Sequence, residues 1–363
     1  MKAALVFVGR AAAASVYLPY RSRGFICALA EAGVEPVVID VDIDPEPSSA
    51  TVPSEVPGIV GYRNQVDRLP LIVAQERVGV VQTFGATEDL GSVWGHVARA
   101  AKPLAHFVSS DGAVADLPAG RPRSLADLVR RGRSLAHWQA RHASRHVTAV
   151  LGSNRADLGR HFRHGFFPRA RFSAVAPPPS PPTRTFGVIP LGQRRQGPVL
   201  GFWDPDADAE VLELLLRAVA LTGQTDLFTL KIAPASLAGR AVLPPGVTVA
   251  DAASADAFLR DVDVLVVPRA EDRALCAVVA ALAARKSVIV PDTGAAIEIV
   301  DYGRRGLLYA AGSAYHLAMA INVMAQSWTN RPFSFDGVEE SIARTAPDAV
   351  ARMFASAWRR LGG

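Results

Sequence analysis

Glu271, Asp272 and Glu298 supply carboxylates, and Arg269, Arg273 and Lys231 supply fixed positive charge, in or near the run from Asp261 to Leu308. Carboxylates accept hydrogen bonds from hydroxyl groups, and guanidinium and ammonium groups hold anions. The run reads as a strand ending at Val267, a loop, a helix-length segment, a second strand from Ser287, a loop bearing Gly294 and a short helix. Most of the charged residues therefore fall at junctions between elements. The competing reading is local: acids at a helix start, as Glu271 and Asp272 would be, complement the dipole and cap free amides.

Other clusters point to chemistry less strongly. Asp40, Asp42 and Asp44 form one D-x-D-x-D and Asp204, Asp206 and Asp208 another, but neither has the glycine at the sixth position or the glutamate at the twelfth of a calcium loop. His142 and His146 stand one helical turn apart with no third ligand and no cysteine near them, so they read as surface or core histidines rather than a zinc site. No metal is expected.

Charge is asymmetric in one place. Between Arg121 and Arg171 lie 12 arginines and five histidines against two acids, Asp127 and Asp157. Leu125, Leu128, Val129, Leu135 and Trp138 are interleaved with those arginines, as in a basic amphipathic element. Such a segment would dock on anionic lipid, a polyprenyl phosphate or a polyanionic saccharide, or form a solvated helix face packed inward by its apolar side. No nucleic-acid motif accompanies it, and no nucleic-acid partner is expected.

The elements that must position these residues alternate along the chain. AALVFV at 3–8, VVID at 37–40, VGVVQT at 78–83, PLAHFV at 103–108 and VTAVLG at 147–152 are strand-like and separated by helix-length segments. A second series follows, with PVLGFW at 198–203, LFTLKI at 227–232, VTVA at 247–250, VDVLVV at 262–267 and SVIV at 287–290. These runs are continuous rather than alternating, the mark of parallel strands buried on both faces. Prolines crowd residues 176–198 so densely that neither helix nor central strand persists there. The expected division is a domain over 1–180, a Pro-rich linker over 181–197, a second domain over 198–345, and a C-terminal helix over 346–363 that packs back through Val350, Met353, Phe354 and Trp358.

The composition agrees. At 363 residues the chain exceeds one ordinary core, and half its residues are hydrophobic while a fifth are charged. No apolar run is long enough to span a bilayer. Cys27 and Cys276 read as small buried hydrophobes of different domains, not as a disulfide pair, and the simplest address is cytoplasmic. The net charge of +5 is almost wholly arginine, since only Lys2, Lys102, Lys231 and Lys286 are lysines. G-x-G-x-x-G is absent, which argues against a dinucleotide enzyme.

Residues 261–322 carry a resemblance to a known family. Val266-Val267-Pro268 matches a strand end, Lys286-Ser287-Val288-Ile289 a K-P-V-V step, Gly294 with Glu298-Ile299-Val300 a glycine loop followed by P-E-I-V, and Gly303, Gly306, Leu307 and Leu308 a D-G-x-x-G-L-L turn. These resemble glycosyltransferase family 4, whose motif reads EGFGxxxxEAMAxGxPVV. The resemblance implies a GT-B-like α/β fold, with two Rossmann-like domains facing each other across a cleft and a C-terminal helix.

The chain departs from that pattern at several positions. Counting back from Lys286 puts Asp272 at the first acid of E-x7-E and Ala280 at the second, which in the family holds the nucleotide ribose. Shifting by one residue brings Glu271 to the first position but Val279 to the second. The glycines of EGFG are replaced, by Arg273 and Leu275 or their neighbours, and the diphosphate-binding basics are absent from Phe202-Trp203-Asp204. On the acceptor side Phe84, before Gly85, stands at the family's histidine, and Ser109 stands at the histidine of KPxVxTxHD, with His106 three residues early.

What the resemblance implies is a retaining, metal-independent transfer of a sugar from a nucleotide-sugar donor to a saccharide, protein or lipid-linked acceptor, with no cofactor. Glu271 and Asp272 would be catalytic, Arg269, Arg273, Lys231, Gly294 and Glu298 donor-binding, and Phe84, Gly85 and Ser109 acceptor-side. The segment 121–171 would add peripheral contact with the inner face of the membrane. The alternative is an inactive protein of the same fold acting as a binding or partner subunit.

Overall fold

The computed structural model describes residues 1–9, 18–42, 58–63, 66–100, 102–108, 134–177, 179, 197–204, 209–233, 243–250, 255–269, 272–328 and 335–362. They form two compact units, Met1–Pro179 with Pro347–Gly363, and Ser180–Ala346. The linker expected over 181–197 lies outside the described residues, apart from Gly197.

The first unit holds a seven-stranded sheet of β1 (Lys2–Gly9), β2 (Glu35–Asp42), β3 (Val60–Arg63), β4 (Val80–Phe84), β5 (Leu104–Val108), β6 (Ala149–Gly152) and β7 (Phe172–Val175). All neighbours are parallel, in the order β3-β2-β1-β4-β5-β6-β7. Both faces are covered, which is why the strands read as continuous apolar runs. In β1, Ala3, Leu5 and Phe7 enter one core while Ala4, Val6 and Val8 enter the other.

The C-terminal helix, Pro347–Gly362, closes the first of those cores. Phe354 lies within 6.0 Å of the rings of Phe84 and Phe107. Trp358 is fully buried and donates from Nε1 to Gln82 Oε1 at 3.0 Å. Arg359 donates to the carbonyl of Ala32, the C-cap residue of the helix Arg23–Glu31, where a cation offsets the helix dipole.

The second unit repeats the plan with six parallel strands, β8 (Val199–Trp203), β9 (Thr229–Ala233), β10 (Val247–Val249), β11 (Val264–Val266), β12 (Ser287–Pro291) and β13 (Gly306–Tyr309), in the order β10-β9-β8-β11-β12-β13. Helices Ala209–Thr222 and Ala314–Gln326 cover one face, and Ala255–Arg260 and Asp272–Ala283 contribute to the core on the other.

Two sequence expectations are corrected. Gly306-Leu307-Leu308, expected as a turn, begins edge strand β13, with Leu307 paired to Ile289. A Cβ on Gly306 would come within 2.5 Å of the Val288 carbonyl oxygen, so glycine lets the two backbones approach. Cys27, expected to be buried, is exposed; Cys276 is half-buried, and no disulfide joins them. Among the described residues no helix is long and apolar enough to cross a membrane.

Candidate functional site

In open parallel sheets, ligands bind outside the carboxyl ends of the strands where the strand order reverses. In the second unit that point falls between β8 and β11, at Trp203-Asp204 and Val267-Pro268-Arg269.

The end of β11 is held firmly. The Val267 amide donates to the Ile289 carbonyl at 2.9 Å, and the buried Tyr309 hydroxyl donates to the carbonyls of Pro268 at 2.6 Å and Val267 at 3.2 Å. Burial, reinforced by Asp292, raises the Tyr309 pKa, so the hydroxyl keeps its proton. Arg269, the next residue, is exposed and lies 3.5 Å from Glu210, in the first turn of the helix after β8.

Because β12 is the neighbour of β11, its carboxyl end reaches the same edge. There Gly294 opens the helix Gly294–Ile299, and Glu298 sits in its last turn, half-buried. Thr293, just before it, keeps a buried Oγ1 with no hydrogen-bond partner among the described residues.

Lys231 is directed elsewhere. It sits in mid-strand of β9, and its ammonium is 3.3 Å from Asp261, in the loop that leads into the amino end of β11. The sheet therefore brings Arg269 and Gly294 to one edge and leaves Lys231 off it, while Glu298 lies at the far end of the short helix that Gly294 opens. Asp272 and Arg273 are the first two residues of the helix Asp272–Ala283, and Glu271 lies outside the described residues.

The second position of E-x7-E is apolar in its surroundings as well as its identity. Ala280 is 9 % exposed and belongs to the core beneath that helix, and Val279 is also buried. At Arg285, where the resembled motif has glycine, the backbone adopts φ +56°, a left-handed conformation that costs a non-glycine residue about 1 kcal/mol or more.

The equivalent point in the first unit lies between β1 and β4. Phe84 is fully buried, stacked on Phe7 at 4.7 Å between centroids. A Cβ on Gly85 would lie 2.7 Å from the Val8 carbonyl oxygen, so this glycine is demanded by packing. Ser109 lies outside the described residues, as do Asp44, Asp206 and Asp208. Asp40 pairs with Arg21 at 2.7 Å.

His106 occupies a setting that spacing alone did not reveal. It is fully buried in β5 with Nδ1 3.1 Å from Thr83 Oγ1, and its Nε2 has no partner among the described residues. Trp94 and Phe167 rings flank it at 5.1 and 5.4 Å. Burial first, and then His161, hold its pKa well below the ordinary histidine value. His161, also buried, bonds Thr87 Oγ1 and the Asp157 carbonyl. The one signal in the sequence was its place inside the apolar run 103–108, a strand buried on both faces.

Comparison with known proteins adds to this geometry. No family model matches the chain, and no curated protein does. Solved structures do. Sucrose-phosphate synthase from Thermosynechococcus elongatus is similar at 14 % identity and TM-score 0.66 over 99 % of each chain. HepE of Anabaena, in complex with UDP and glucose, is similar at 15 % identity and TM-score 0.63, covering 99 % of this chain and 100 % of that one. The lipopolysaccharide outer core galactosyltransferase WaaB is similar at 11 % identity and TM-score 0.65, with 98 % and 99 % covered. At such identities the likeness speaks to fold: two parallel Rossmann-like sheets and a C-terminal helix, the GT-B fold of these glycosyltransferases.

Proposed function

We propose that the protein is a retaining, metal-independent glycosyltransferase that takes a nucleotide-sugar donor at the carboxyl edge of the second sheet. The observation that carries this reading is the β11 end, fixed by the Tyr309 hydroxyl and followed at once by the exposed Arg269, with the neighbouring strand β12 leading into the helix that Gly294 opens. Arg269, with Arg273, would stabilise the charge growing on the departing diphosphate, and the start of the helix Asp272–Ala283 would add its amides. Glu298 would accept hydrogen bonds from donor hydroxyls. HepE was crystallised with UDP and glucose, which makes UDP the first nucleotide to try.

A second reading, a protein of this fold without catalysis that serves as a partner subunit, is favoured by Ala280. A carboxylate for the ribose is missing there, and the position faces apolar packing. Calorimetric titration with UDP, GDP, ADP, TDP and CMP separates the two. A nucleotide that binds, at 100 times its dissociation constant, stabilises the folded protein by about 2.7 kcal/mol. Loss of that binding in Arg269→Ala or Arg273→Ala supports the donor site, whereas silence from all five nucleotides favours the partner subunit.

A further inference from the structure

Away from the carboxyl edge, the first unit carries a concavity of about 400 Å³ lined by Trp138, Arg141, His142, Arg145, Gly165 and Pro168. That volume lies within the range of small-molecule sites, about 300–1,000 Å³. Trp138, Arg141 and His142 belong to the helix Ser134–Ala143, and Arg145 to the turn Ser144–His146 that leads to β6. Gly165 and Pro168 belong to the loop that leads to β7. The concavity thus opens at the amino ends of the strands, the opposite edge from Phe84 and Gly85.

Its chemistry is uniform. Trp138 is 61 % exposed, and one face of its indole is stacked on His142, 5.5 Å between centroids and 12° from parallel. The rings are one helical turn apart, so the indole is held flat. Arg141 lies against the backbone at Gly165, where a Cβ would approach its Nη2 to 2.7 Å. Arg141 and Arg145 have no carboxylate partner among the described residues, and no lining residue is acidic. The two segments that line it are tied together behind it: the buried Ser144 hydroxyl donates to the Arg141 carbonyl at 2.7 Å and accepts from the Phe167 amide at 2.9 Å. The positive field is felt nearby, where burial and then Arg145, Arg169 and His142 lower the pKa of His146.

A lone exposed tryptophan needs no explanation. One held flat in a concavity beside two guanidinium groups that have no carboxylate partner among the described residues is a different matter. We propose that this concavity binds an anionic saccharide, the indole taking the apolar C–H face of a pyranose and Arg141 and Arg145 its carboxylate or phosphate. Guanidinium groups suit both anions, through paired hydrogen bonds. A single aromatic plane with donor-only arginines matches one sugar ring, and offers little to read the edge of a nucleobase. The site does not depend on the donor reading, because it lies in the other unit.

The test is tryptophan-fluorescence titration of the full chain with a hyaluronan oligosaccharide, which carries uronates, and separately with glucose phosphate, a free phosphosugar. A saturable change with either is expected, and which one responds tells polymer from free sugar. Arg141→Gln and Arg145→Gln should each weaken it by about tenfold or more. Trp138→Phe should abolish the signal, and UDP titration of the same variants reads the donor edge separately. Silence with both sugars overturns the proposal. So does equal binding of inorganic phosphate, UMP or neutral maltotetraose, or sedimentation with phosphatidylglycerol vesicles that depends on Trp138.

Discussion

The two sheets share a strand order, yet their reversal points are built differently. Between β1 and β4 the strand end is Phe84, wholly buried in an aromatic cluster, and Gly85, pressed against Val8. Between β8 and β11 the strand end is tied by the Tyr309 hydroxyl and followed by an exposed arginine. One edge is committed to packing and the other to polar groups at fixed positions. The same topology does not assign the same work.

The comparison can be broken or sharpened by substitution. The largest effect should come from Trp358→Ala, which empties a core site and leaves the Gln82 Oε1 without its donor, costing about 3–5 kcal/mol. Chemical denaturation should show the loss in the first unit, and a loss below about 1 kcal/mol would mean that the aromatic cluster does not hold that edge. Next is Ala280→Glu, which restores the acid of the resembled motif in an apolar core and should cost about 2–4 kcal/mol. Unchanged stability with tighter nucleotide binding would instead put that position at the ligand.

Tyr309→Phe should cost about 1–2 kcal/mol, because two buried carbonyls lose a donor, and should weaken nucleotide binding without touching the first unit. The smallest effect is one of pH. The His106 pKa is lowered in the fold, so the unfolded chain binds the proton first, and stability is complete above about pH 6.5 and falls as pH drops through the folded value. Asp157, raised by burial, acts with the opposite sign: its contribution is complete below about pH 3.8 and is lost as pH rises through its folded value. Comparing wild type with His106→Leu isolates the histidine, and the Leu variant should show the flatter curve below pH 6.5.

How much was legible in the sequence depended on burial. Strands covered on both faces, such as β1, β8 and β12, announce themselves as unbroken apolar runs. Edge strands β3 and β7 are short and partly exposed, so Val60–Arg63 and Phe172–Val175 carry no such run. β13 was hidden by Gly306, which in sequence marks a turn and in the fold marks a close approach. The candidate site was less legible, because it depends on which end of a strand a side chain faces. Lys231 and Arg269 look equivalent as cations, yet one pairs with Asp261 near the amino edge and the other extends from the carboxyl edge. The Trp138 concavity required a loop more than 20 residues away, at Gly165, to become visible.

The C-terminal helix also sets an order of events during synthesis. Phe354 and Trp358 complete a core begun at residue 3, but the whole second unit is translated between them and β7. At ribosomal speeds of about 5–20 residues per second, that interval is roughly 10 to 30 s. Throughout it Tyr20, Phe84 and Phe107 lack their covering helix, so the unit that is made first is finished last. A nascent chain halted after the second unit should carry that aromatic face open to chaperones.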